Sequence, residues 1–240
     1  MSLLPWLPLA PLLLLQSWYV RQSTPRFPPP LGETTGLIPG DGPPLRLLMI
    51  GESPVAGVGV QTMQDALVGQ TAQRLAQRSG RPVAWTAFGR SGATVHRLTA
   101  ELLPDCSTDP VDLVVLAFGV NDTTHMNTPD GFVDDIRVLL EGLRACVGSA
   151  PALITAVPPL DRFPALPWPL SRFLGSRSHA LDAALQTYID TQTDVSYVHN
   201  TLKVEPAYFS PDFYHPNEAG YALWGGAIAD VAADMLKLTS

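Results

Sequence analysis

The chain has 240 residues, of which 46% are hydrophobic and 15% charged, a balance that excludes a disordered or fibrous polypeptide and is enough for one sizeable core. Its formal net charge of −7 comes from 22 acidic against 15 basic residues; such a surface repels phosphate backbones, so no nucleic-acid partner is expected. Cys106 and Cys146 form no CxxC pair, so they supply neither a metal site nor a disulfide scaffold and read as buried free thiols.

Residues 3–20 are apolar and almost uncharged, as a membrane segment would be. Pro5, Pro8 and Pro11 interrupt the run, and no Lys or Arg precedes it. A secretory leader would carry a positive start and a small-residue cleavage site, and neither stands out here. Three roles stay open for this arm: a packed or peripheral segment, a membrane anchor, or a cleaved signal. A cytoplasmic or membrane-associated location is favoured over secretion. The segment is too apolar to be left in water, so contact with its own domain, a second subunit or a membrane surface is expected. Residues 22–44 are rich in Pro, Gly and Thr and read as an extended strap with neither helix nor strand. Residues 1–44 are therefore set apart from a single domain at 45–240.

That domain alternates regularly. Residues 45–50 are a short apolar run ended by Gly51, the pattern of a buried strand. Residues 61–78 place Met63, Ala66, Leu67, Ala72 and Leu75 at helical spacing and stop at Gly80. A strand at 83–88, a turn at 89–92 and a short helix near 95–103 follow. Residues 111–118 are an apolar strand ended by Gly119. Then come a helix at 131–147, a strand at 152–157, a helix at 178–191, a strand at 195–198 and a helix at 218–238. Alternation of this kind implies βαβ units and a parallel sheet covered on both faces, an α/β fold.

In such a sheet, ligands bind beyond the carboxyl ends of the strands. The segments found there are GESPVAG with Ser53, GRSGAT with Gly92, GVND with Asn121, and DFYHPN with Asp212 and His215. A serine hydroxyl needs a neighbouring base, and the base needs a third group to orient it. Ser53 on a tight strand-to-helix turn, His215 as base and Asp212 three residues before it meet that need. The backbone N–H groups of Ser53 and Gly92 and the side-chain amide of Asn121 are candidate donors to an oxyanion. Asp122 reads as a turn or cap residue. His96, His125, His179 and His199 lack ligand-like spacing, and His125 is placed to line the pocket. No metal and no cofactor are expected.

These four blocks, in this order, resemble the SGNH (GDSL-like) hydrolase family over roughly residues 45–238. The resemblance implies a flavodoxin-like three-layer α/β/α sandwich and metal-free ester hydrolysis through a Ser-His-Asp triad. Glu52 stands where the family usually has Asp, a change expected to alter local hydrogen bonding more than the chemistry. Short to medium acyl esters are the expected small-molecule substrates. Acetylated sugars, lysophospholipids and thioesters stay open on the same triad. The Pro- and aromatic-rich residues 158–177 could wall an acyl site or simply cover the sheet edge. From other classes, a non-catalytic ligand-binding relative has the same fold, and Gly57-Val58-Gly59 is part of a dinucleotide fingerprint. Thr62, however, stands in place of its third glycine, and that reading leaves Asp212 and His215 unexplained.

Overall fold

In the computed structural model, which describes residues 4–199 and 205–238, the alternation becomes one six-stranded sheet. Its strands are β1 (Thr35–Ile38), β2 (Leu45–Gly51), β3 (Val83–Gly89), β4 (Leu113–Ala117), β5 (Ala152–Thr155) and β6 (Val195–Val198). They lie in the order β1-β3-β2-β4-β5-β6. The last five run parallel, while β1 pairs antiparallel with β3, Thr35 opposite Thr86 and Ile38 opposite Val83. The helices are α1 (Ala10–Ser23), α2 (Leu67–Ser79), α3 (Val95–Leu102), α4 (Val120–Thr124), α5 (Pro129–Val147), α6 (Leu170–Ile189) and α7 (Glu218–Met235).

β2 illustrates why the sheet is covered twice. Leu45, Leu47 and Met49 enter one apolar cluster with α2 and α7, and Leu48 and Ile50 enter another with α3, α5 and α6. That is the two-residue period of a strand with both faces buried. The result is a three-layer α/β/α sandwich.

Three expectations are corrected. The sheet takes in Thr35–Ile38, which composition assigns to a strap; edge strands tolerate such short, Gly-containing segments because only one side needs pairing. α2 begins at Leu67, not near residue 61, because residues 61–66 form turns. α6 begins at Leu170, not at residue 178, inside the Pro- and aromatic-rich stretch.

The apolar arm is helical in spite of its prolines. Pro8 sits in a 3₁₀ segment, Leu4–Leu9, and Pro11 falls in the first turn of α1, where the missing N–H would have no intrahelical partner anyway. Leu13 and Val20 of α1 pack on Leu160, Phe163, Leu166, Leu170 and Leu174. Gln16 fastens the contact, donating to Trp168 O at 2.8 Å and accepting from Leu170 N at 3.1 Å. Trp6 sets its edge on Phe173, ring centroids 5.3 Å apart. No helix among the described residues is long and apolar enough to cross a membrane.

Candidate active site

β2, β3 and β4 are neighbours in the sheet, so the loops leaving their carboxyl ends emerge side by side. After Gly51 the chain makes one isolated helical turn: Val55 N and Ala56 N donate to Glu52 O at 3.1 and 3.0 Å, and Val58 N donates to Ser53 O at 3.0 Å. The expected helix start beside Ser53 is therefore a single turn, and the helix proper lies fourteen residues on at Leu67. No acceptor among the described residues takes the backbone N–H of Ser53 or of Gly92. Gly92 has φ +79° and open space where a Cβ would stand. Its conformation, not crowding, selects glycine there.

The loop before α7 brings in the remaining groups. Asp212 Oδ1 accepts from the N–H groups of Tyr214 and His215, each at 3.0 Å, and Phe213, between Asp212 and Tyr214, is held at φ +54°. This tight turn leaves Asp212 Oδ2 2.6 Å from His215 Nδ1, while His215 Nε2 lies 3.1 Å from Ser53 Oγ. Burial pushes the Asp212 carboxyl upward, but the hydrogen bonds from the His215 ring and from the two N–H groups prevail and hold it below its ordinary value. The turn carrying Ser53 and the loop carrying His215 are clamped together. Ser210 Oγ donates to Gly59 O at 2.9 Å, and Tyr221 Oη donates to Val58 O at 2.6 Å. A Cβ on Gly59 would come within 2.5 Å of Ser210 Oγ and 2.6 Å of Pro216 O. The glycines of the partial dinucleotide motif thus serve loop packing.

The GDSL-like lipase/acylhydrolase family model matches residues 49–223, a stretch that holds all of these blocks. The chain belongs to the GDSL-like lipase/acylhydrolase family. It is a carboxylic ester hydrolase. Solved structures agree on the fold. The carbohydrate acetylesterase Est24 from Sinorhizobium meliloti is 21% identical, covers 80% of this chain and 99% of its own, and has a TM-score of 0.60. The M. smegmatis aryl esterase is 20% identical over 80% of this chain and 99% of its own, with a TM-score of 0.58. A Clostridium thermocellum family 3 carbohydrate esterase is 16% identical over 81% and 98%, with a TM-score of 0.63. No curated protein matches the chain.

Within this GDSL-family site, Glu52 does more than the sequence suggests. Its side chain is buried and accepts from Val120 N and Asn121 N, each at 2.9 Å, and from Asn121 Nδ2. The glutamate is long enough to bridge from the Ser53 turn to the first residues of α4. Burial pushes its carboxyl up to about 8, against the opposing pull of the Asn121, Val120 and Gly119 N–H groups. Asn121 Nδ2 also donates to Ala93 O at 3.1 Å, which ties the GVND block to the loop of Gly92. Asp122 is fully buried and accepts from Val95 N at 3.2 Å and Asn127 Nδ2 at 3.1 Å, the structural role expected of it. Burial and the neighbouring Cys146 thiol push the Cys106 thiol up to about 12, so it is no ready thiolate. Both cysteines are free and only partly buried.

Above these groups lies a cleft of about 1070 Å³ whose lining includes Gly92, Asn121, His125, Tyr214 and His215. Ser53 faces an adjoining pocket of about 30 Å³ that shares Tyr214 and His215 with it. Leu166, Leu170 and Leu174 wall the cleft, while Phe163 and Leu160 of the same stretch pack beneath α1. Sequence reasoning missed the rest of the lining. Ser17, Val20 and Arg21 of α1, and the strap from Thr24 through Pro30, belong to it, and the Phe27 ring stands edge-on to His215 with centroids 6.4 Å apart. The available signal was the run of prolines at 28–30, stiff enough to hold a wall without hydrogen bonds. His96, His179 and His199 lie elsewhere, beside Asp135, Asp161 and Tyr197 respectively. No group of three potential metal ligands occurs among the described residues.

Proposed function

We propose that Ser53 attacks the ester carbonyl through its Oγ, passing its proton to His215 Nε2 while Asp212 holds the imidazole through Nδ1. His215 then returns that proton to the departing alcohol, leaving an acyl group on Ser53. Water, deprotonated by the same nitrogen, releases the acid and restores the serine. The observation that carries this reading is the unbroken hydrogen-bond relay from Ser53 Oγ through His215 to Asp212. The Ser53 and Gly92 N–H groups, which have no acceptor among the described residues, serve the oxyanion. Asn121 Nδ2 joins them by sharing the hydrogen now directed at Ala93 O.

The apolar parts of the cleft, Val20, Phe27, Pro28, Leu166, Leu170 and Leu174, favour short to medium acyl chains. The second reading, a carbohydrate acetylesterase, draws on the names of two similar structures. A chain-length series of chromogenic acyl esters run beside acetylated oligosaccharides separates the two. Ser53→Ala tests the mechanism: turnover falls by about 10⁶ with the melting temperature preserved, and labelling by a serine-directed phosphonate disappears. A variant retaining a tenth of the turnover sinks the assignment.

A further inference from the structure

α1 buries Leu13 and Val20 and turns the rest of its apolar surface outward. Leu14, Leu15, Trp18 and Tyr19 fall in one arc opposite the buried pair, as a period of 3.6 residues requires, and all are exposed, Leu14 to 72% and Trp18 to 60%. Further exposed apolar side chains flank it. Leu4 and Leu7 of the preceding 3₁₀ segment are exposed on one side, and the Trp168 side chain, on the loop that Gln16 ties to α1, is 72% exposed on the other. These six exposed large apolar side chains on one short helical arm, with Trp168 on the loop tied to it, mark an interaction site.

Charge and position select the occupant. Residues 1–32 contain Arg21 and Arg26 and no Asp or Glu, in a chain whose net charge is −7. Both arginines are exposed, and among the described residues neither has a carboxylate partner. They lie at the end of α1 and in the strap, where the patch meets the cleft, and both line that cleft. In a two-fold dimer through this face the patch meets its own copy, which carries the same two cations and, within residues 1–32, no carboxylate to pair them. A sheet of anionic headgroups over hydrocarbon offers both halves of the match, with Trp and Tyr at the level that amphipathic rings prefer.

We propose that the outward face of α1, together with Trp168, docks on an anionic lipid surface and sets the mouth of the cleft against it. The docking itself is independent of the Ser53 mechanism. Full-length protein is pelleted with vesicles of equal parts phosphatidylglycerol and phosphatidylcholine, and with phosphatidylcholine alone, at low and at physiological salt. Binding is expected to prefer the anionic vesicles and to weaken with salt. Leu14→Ser/Leu15→Ser/Trp18→Ser lowers it at least about tenfold, and Arg21→Gln/Arg26→Gln lowers it by about fivefold per arginine. None of Leu14, Leu15 and Trp18 lines the cleft, so the triple variant hydrolyses a soluble short-chain ester as the unaltered protein does. Ser53→Ala pellets unchanged, which separates a failure of this proposal from a failure of the proposed mechanism. If the triple variant loses soluble activity through misfolding, Leu14→Ser alone and the salt dependence of the unaltered protein decide. Equal binding to both vesicle types, undiminished binding by the variants, or a dimer on size-exclusion chromatography that the triple variant converts to monomer overturns the proposal.

Discussion

The amide of Asn121 has two hydrogens and, at rest, two protein acceptors, the Glu52 carboxyl and Ala93 O. Under the proposed mechanism the second is shared with the oxyanion only as charge develops, so Asn121→Ala should lower kcat by about 10²–10³ and change KM little. Unchanged steady-state turnover would leave Asn121 as a loop tie alone. Glu52 sets that tie. In Glu52→Gln, the new amide turns a donor toward either Val120 N–H or Asn121 N–H, which leaves a buried donor unmatched at a cost of about 1–3 kcal/mol. Thermal melting should register that loss, and kcat should fall more than KM rises because the hole, not the cleft, is disturbed. Glu52→Asp keeps a carboxyl but shortens it and recovers part of the turnover; recovery no better than that of Gln would show that reach matters and the carboxyl itself does not. The convergence of Ser53, Gly92, Asn121, Asp212 and His215 on one edge of the sheet was legible in the sequence, because each follows a strand or precedes the last helix. The anchoring by Glu52 was not, since its partners lie 68 and 69 residues away and no local spacing encodes them.

At the level of elements, the α/β alternation was readable wherever one period dominated. β3 and β6 are apolar runs bounded by turn signals, and α5 and α7 begin at Thr128 and Asn217, whose side chains accept from the third residue beyond, as cap residues do. What escaped were elements held by distant contacts. β1 exists because β3 offers a free edge, and α1 is fixed by α6 and the loop before it. α1 and the strap also line the cleft. Deleting residues 1–20 removes Ser17 and Val20 from the wall and bares Leu166, Leu170 and Leu174. Truncated protein is expected to keep turning over an acetyl ester while KM for a medium-chain ester rises about tenfold, on the order of one lost aliphatic wall. A chain-length series on both forms measures this. Identical profiles would return the arm to a purely external role.

Across the whole molecule, two sets of carboxyls pull stability in opposite directions with pH. Asp212, depressed by its hydrogen bonds, contributes stability above the ordinary carboxylate range, and that contribution is lost as pH falls through its folded value. Asp112, held low by the Arg46 guanidinium beside it, has the same sign. Glu52 has the other. Its folded value of about 8 exceeds the unfolded one of about 4.3, so between those limits the folded chain holds a proton that the unfolded chain has released, and stability declines as pH rises through the interval. Asp122, raised chiefly by burial, adds to the decline. Stability should therefore peak at mildly acidic pH, near ~5, and the melting temperature at pH 8 should lie at least ~3 °C below that peak. Thermal melting of the unaltered protein and of Glu52→Gln from pH 4 to 9 is the measurement. The variant, with no carboxyl at position 52 to titrate, should melt lower at pH 5 and show a visibly shallower fall toward pH 8. Parallel curves for the two proteins would mean that Glu52 is already ionised throughout, with the N–H groups of Val120 and Asn121 outweighing its burial.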